Sequence, residues 1–200
     1  MMKLLRLALP LAVAAALGGC SLGSLLGGGG KVPPTLLRLT PEATPVSIQR
    51  SASAGQAVTV AVPVISKELR TTRIAAQVSP YDVQYLTDIQ MIDTPDRLFQ
   101  DLVAETLRRR TGRVVLDPKT TTLDPGIVVN GELRRFGFDE ASSSVVVEYD
   151  VALARAGGTA VETRRFTATA PATAVGASVG PALNRAANQV ALDVATWIGG

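Results

Sequence analysis

The sequence predicts an α+β domain of two layers: a mixed, mostly antiparallel sheet with two long helices packed on one face. Two observations carry this. Short apolar runs, several alternating with polar residues, occupy 58–91 and 127–169, and Gly, Pro, Ser and Asp separate them. Each group is followed by a stretch with apolar residues at helical spacing, 94–112 and 178–198. Two helices placed in this way can bury their stripes on the same side of one sheet. The apolar fraction is 46% but aromatics are only 4%, so the core is expected to be built of Val, Leu, Ile and Ala.

The N-terminal segment comes before any of these elements. Lys3 and Arg6 precede an apolar run from Leu7 to Leu17, which Gly18, Gly19 and the chain's one cysteine, Cys20, close. The run is short for a spanning helix, which needs ~20 apolar residues, and its charged, apolar, small-residue order is that of a secretory leader. Leu17-Gly18-Gly19-Cys20 resembles the lipobox of a bacterial lipoprotein signal. That resemblance implies a diacylglyceryl group on Cys20 Sγ, cleavage before Cys20, and acylation of the exposed amine. One acyl chain, at ~0.8 kcal/mol per buried CH₂, anchors only marginally, whereas two or three hold. The alternatives are a secreted protein with a free thiol and an uncleaved N-terminal helix; a free thiol is an odd leftover in an oxidising compartment.

This reading divides the chain into a leader (1–19), a lipidated flexible tether (20–34) and a single domain (35–200). Two of the 20 basic residues leave with the leader against 17 acids, so the formal charge of +3 falls to +1. With no polybasic cluster interleaved with aromatics, nucleic acid is not an expected partner. The tether carries Gly27 to Gly30 and Pro33-Pro34, and a dozen such residues reach roughly 19 Å. Ser21, where some lipoproteins have Asp, favours by resemblance the periplasmic side of the outer membrane over the inner membrane.

Leu36 to Leu39 reads as a short strand ended by Thr40-Pro41, and 41–56 as loop. Val58 to Ile65 fits a strand covered on both faces, with Pro63 at its end because proline cannot donate to a ladder. Arg73–Val78 and Val83–Met91 are strands joined by a Ser79-Pro80 turn. Thr94 then caps a helix with Pro95 in its first turn and Asp96 complementing the dipole. Its buried face is Leu98, Phe99, Leu102, Val103, Thr106 and Leu107. Arg108, Arg109 and Arg110 suit the last turn, with Gly112 as the stop and anion binding as the lesser alternative.

Val114 to Leu116 is a short strand, and three antiparallel strands follow it. In the first, the apolar phase slips from Ile127, Val129, Gly131 and Leu133 to Phe136 and Phe138, which suggests a bulge or an edge. In the second, Val145, Val147, Tyr149, Val151 and Leu153 point inward, and Glu148 and Asp150 face water or a partner. Gly157-Gly158 is expected to turn the chain into Val161–Thr169. The closing helix, capped by Ser178, buries Val179, Leu183, Ala187, Val190, Val194 and Trp197 or Ile198. Ala186, Ala191 and Ala195 permit a close approach to the sheet.

Chemistry is expressed mostly as exclusions. With no histidine, a Ser-His-Asp triad and a His-bearing zinc site are excluded. Gly27 to Gly30 has neither a strand before it nor a helix after it, so it is no phosphate loop. Asp82, Asp88, Asp93 and Asp96 cluster without the spacing of a calcium loop, and Asp93 and Asp96 suit the helix start. No catalytic residue, cofactor or metal is expected, and Cys20 is the one assigned site.

In this order of features the chain resembles the auxiliary lipoprotein component of ABC-type transporters, the PqiC-like (YmbA-like) family that accompanies MCE-domain lipid transport systems. The resemblance rests on the Cys20 signal, Thr35 to Leu39, Val58 to Val64, Arg73-Ile74-Ala75, Tyr85 to Pro95, and the meander with its closing helix. A Trp that many members carry before the first helix is replaced by Met91-Ile92-Asp93. The resemblance implies a non-catalytic, membrane-anchored periplasmic protein. Its partners would be an MCE protein and, through it, an ABC permease and ATPase; phospholipid and a second copy of the chain stay open. A lipid-binding carrier, or an activator of another envelope machine, is the alternative. Contact is expected through the Glu148/Asp150 face or the region from Arg70 to Tyr85.

Overall fold

The computed structural model describes residues 35–45, 51–53, 55–118, 126–154 and 161–199. The chain divides between Pro33 and Pro34, and all described residues belong to the second unit. Cys20, the tether and Gly157-Gly158 lie outside them. Among the described residues the order is β1 (Thr35–Leu37), β2 (Val58–Val60), β3 (Val64–Ile65), a 3-10 turn (Lys67–Leu69), β4 (Arg73–Gln77), β5 (Val83–Met91), α1 (Pro95–Arg110), β6 (Val115–Leu116), β7 (Ile127–Asp139), β8 (Ser144–Ala154), β9 (Val161–Pro171) and α2 (Gly176–Gly199).

The sheet is organised around β7. One edge of this strand pairs with β8 in an antiparallel ladder, and β8 pairs with β9 in the same sense. The other edge receives three short strands in series, all parallel: β2 on Ile127–Val129, β3 on Glu132-Leu133 and β4 on Gly137–Asp139. β6 flanks β2, while β5 and then β1 flank β4. The sheet is therefore mixed, with its long ladders antiparallel.

Pro63 does not end a single strand as the sequence suggests. Val60 pairs with Val129 and Val64 with Glu132, so four steps on one side span three on the other, and Pro63 sits in that gap. A residue with no N–H costs nothing where the ladder is already interrupted. Upstream of the gap, Val58, Thr59 and Val60 are buried on both faces, as expected. The slip in β7 is a bulge. Leu133 pairs with Tyr149 and Arg135 with Glu148, leaving Arg134 as the extra residue.

Both helices lie on one face. The ring of Phe99 on α1 meets Tyr149 and Phe136 edge-on, at centroid distances of 5.1 and 6.2 Å. Trp197 of α2 packs on Phe166 of β9 at 5.6 Å. Every expected stripe residue of α1 is buried, and so are Val179, Leu183, Ala187, Val190, Val194 and Ile198 of α2. Full burial of such a side chain contributes ~1.5–3 kcal/mol, so these stripes account for much of the driving force.

The helix ends differ from expectation. Gly112 does not take the left-handed conformation. Thr111 stops α1 instead, its backbone N–H and its hydroxyl both donating to Leu107 O (2.9 and 2.8 Å). α2 begins two residues before Ser178. Its first N–H, at Gly176, donates to Asp88 Oδ2 across 2.7 Å. Asp88 reaches there because β5 carries three extra residues where Arg73 pairs with Gln90 and Ala75 with Tyr85. Ser178 Oγ instead accepts from Thr173 N.

The segment after β1, read as loop, is strapped to the helices. Thr40 N and Glu42 N donate to Asn184 Oδ1 and Asn188 Oδ1 (both 2.8 Å), and Asn188 Nδ2 donates to Thr40 O. Arg109 Nη1 donates to Ala43 O at 2.8 Å.

Candidate functional site: the helix-free face of the sheet

Strand alternation and the bulge together build this face. On β8 the odd-numbered residues Val145 to Leu153 go under the helices, which turns Glu148 and Asp150 to the other side. On β7 the same alternation turns Glu132 outward, and the bulge adds Arg134 beside it. β9 contributes Arg165, whose neighbour across the ladder is Asp150.

These side chains form a network of two guanidiniums and three carboxylates. Arg165 grips Asp150 with two hydrogen bonds, Nε to Oδ1 at 2.6 Å and Nη2 to Oδ2 at 2.7 Å. It also approaches Glu148 at 3.7 Å. Arg134 spans Glu132 (3.5 Å), Glu148 (3.5 Å) and Asp150 (3.8 Å). Arg135 pairs with Asp139 four residues along the same strand. The hydrogen bond from Arg165, aided by the charges of Arg165 and Arg134, holds the Asp150 carboxyl below the ordinary carboxylate range against the opposing effect of burial. Asp139 is lowered chiefly by Arg135. Carboxylates held ionised in this way suit recognition and solvation rather than proton transfer at neutral pH.

Beside the network lies a shallow depression of about 40 Å³, where Glu68 and Leu69 of the 3-10 turn meet Ala75, Val83, Arg134, Arg135 and Val146. Exposed apolar side chains stand near it: Val83 in the wall, Tyr81 in the β4–β5 turn, and Val64, whose register partner is Glu132. Tyr85 is held by a hydrogen bond to Glu68 O at 3.0 Å, and the Arg73 guanidinium lies 4.1 Å from its ring centroid. The two contact regions that the sequence suggests separately, 70–85 and Glu148/Asp150, thus adjoin. The bulge residue Arg134 joins them, and the phase slip between Leu133 and Phe136 is the signal that could have shown it.

The four aspartates of 82–96 do not converge. Asp82 Oδ2 accepts from Ser79 Oγ, Asp88 caps α2, Asp93 Oδ1 accepts from Thr94 N, and Asp96 lies in the first turn of α1. Among the described residues no three acidic, His or Cys side chains gather in a metal-holding group, and no helix is long and apolar enough to cross a membrane. Tyr149 is the conspicuous buried polar group. Its hydroxyl has no hydrogen-bond partner among the described residues, and burial pushes its phenol above the ordinary range.

A family model described as ABC-type transport auxiliary lipoprotein component matches residues 37–195. A crystal structure of a Xanthomonas campestris protein assigned to family DUF330 has the same fold, with a TM-score of 0.66 at 20% identity, over 82% of this chain and 94% of that one. An uncharacterized protein gives 0.63 at 12% identity, over 83% and 96%. A PelC dodecamer from Paraburkholderia phytofirmans gives 0.42 at 14% identity, over 76% and 94%. No curated protein matches the sequence.

Proposed function

Because the chain belongs to the family of ABC-type transport auxiliary lipoproteins, we propose that it is a non-catalytic adaptor. In this reading, lipid on Cys20 fixes it to the periplasmic side of the outer membrane. Its domain docks an MCE-domain protein and, through that protein, an ABC permease and ATPase. The family match supports the transport role, and the leader ending in Gly18-Gly19-Cys20 supports the anchor.

The observation that carries the docking role is the helix-free face. It presents an ion network and exposed apolar side chains on one sheet face, and its Asp150 carboxyl is held ionised rather than poised for acid-base work. The larger clefts among the described residues carry charged side chains in their linings, which favours an adaptor over a carrier that sequesters an acyl chain.

Site-specific photo-crosslinking in cells tests this reading. A crosslinker at Thr167, exposed on β9 beside the network, should capture an MCE protein, whereas one at Thr196 on α2 should not. Capture from Thr196 alone would overturn the docking face, and capture of a peptidoglycan synthase in place of an MCE protein would move the protein to another envelope machine. Cys20→Ser should leave the domain folded and release it from membranes. Retention in the membrane fraction after a high-salt wash would refute the anchor.

A further inference from the structure

Of the three arginines that end α1, two are used within the fold. Arg108 and Arg109 share Glu105, at 3.3 and 2.6 Å, and Arg109 also holds the strap through Ala43 O. Arg110 is left over: exposed, with no ion pair or hydrogen bond among the described residues. It lines a cleft of about 380 Å³ between α1, α2 and the strap. Arg185 of α2, exposed and likewise without an ion pair or hydrogen bond among the described residues, lines the same cleft. Thr106 lines it too, only 1% exposed and with a hydroxyl that lacks a hydrogen-bond partner.

Among the described residues the lining therefore carries two uncommitted guanidiniums against one carboxylate, Glu42, which already accepts from Asn184 Nδ2 at 3.1 Å. The negative end of α1, which would repel an anion, is damped by the two donors that Thr111 directs at Leu107 O. Guanidiniums from two helices line one concave site, and a guanidinium binds phosphate oxygens through paired, charge-assisted hydrogen bonds.

We propose that this cleft binds a phosphate group, carried either by an anionic phospholipid headgroup or by free phosphate. The assignment does not rest on the transport reading, because it uses only the cleft and its unpaired cations.

The test uses the full lipidated chain in neutral detergent, with ionic strength held constant because exposed cations attract any anion at low salt. The Nε–H signals of Arg110 and Arg185 are followed by NMR against inorganic phosphate, and then against dihexanoyl phosphatidylglycerol and dihexanoyl phosphatidylcholine. Saturable shifts of both signals are expected, with affinity falling about tenfold for Arg110→Gln or Arg185→Gln, as for loss of one charge-assisted hydrogen bond. Tighter binding of the anionic lipid than of phosphate or the zwitterionic lipid would identify a headgroup, and equal or weaker binding would identify free phosphate. Failure of every probe to saturate by about 10 mM would overturn the proposal. So would an equal loss in Arg108→Gln, which removes the same charge from the same turn. All three residues are at least partly exposed, so the variants should keep the parent's melting temperature.

Discussion

Along β8, Val145, Val147, Tyr149, Val151 and Leu153 lie beneath the helices, none more than 2% exposed, while Glu148 and Asp150 on the same strand share two arginines at the solvent side. The inner face is held by dense packing, in which every added or removed atom is felt. The outer face is held by ion pairs open to water, and such pairs contribute only about 0–1 kcal/mol each. With the proposed docking role, stability and recognition fall on opposite sides of a single strand. The outer side can change its charges without unfolding the domain.

Four substitutions would break or sharpen that contrast. Val190→Asp puts an unpaired carboxylate against the sheet and should cost roughly 4–5 kcal/mol or more, abolishing cooperative melting; an unchanged transition would remove α2 from the inner layer. Gly137→Ala tests whether the outer side is uniformly tolerant. A Cβ there would lie 2.2 Å from Ala75 O, against the parallel pairing of β4, so a loss of about 2–3 kcal/mol by urea denaturation is expected despite its position on the outer side. Tyr149→Phe removes the unsatisfied buried hydroxyl and keeps the ring against Phe99. It should raise stability by about 1 kcal/mol, and a comparable loss would reveal a partner for that hydroxyl.

The smallest effect is expected for Asp150→Asn, about 0.5 kcal/mol or less at neutral pH. Its signature lies in acid. A carboxyl held low in the folded state contributes stability that is present above the unfolded value of ~3.9 and lost as pH falls through the lowered one. The difference in melting temperature between parent and variant should therefore shrink progressively as pH falls below about 4. A difference that does not shrink on acidification below about pH 4 would assign Asp150 a role other than its charge.

Periodic elements were legible in the sequence because their burial is one-sided. α1, α2, β8 and the bulge of β7 all announce themselves through apolar phase. β1, β2, β3 and β6 have two or three residues each, too few to show a period, so their parallel docking and the break at Pro63 depend on partners far along the chain. The helix ends also differ from the sequence reading. Thr111 and Asp88 do what Gly112 and Ser178 were expected to do, and Asp88 acts across the fold. Of the candidate surface, Glu148, Asp150 and the 70–85 region were each visible in the sequence. That they adjoin follows only from β4 pairing beside β7. The strap made by Asn184 and Asn188 left no local signal, because side-chain amides on a helix look like ordinary surface.

The serial docking of β2, β3 and β4 along one edge of β7 also favours an order of events during folding. A chain threaded from its N-terminus presents those three strands before Ile127–Asp139 exists, and they wait with open edges. The β7–β8–β9 meander, whose pairings are close in sequence, can close first and serve as the template on which the earlier half condenses. We expect amide protection during refolding to arise in β7 and β8 ahead of Val58–Val60. Simultaneous protection of both would mean that the early half supplies its own nucleus. Until the meander forms, the β7-facing edges of β2, β3 and β4 have no strand to pair with.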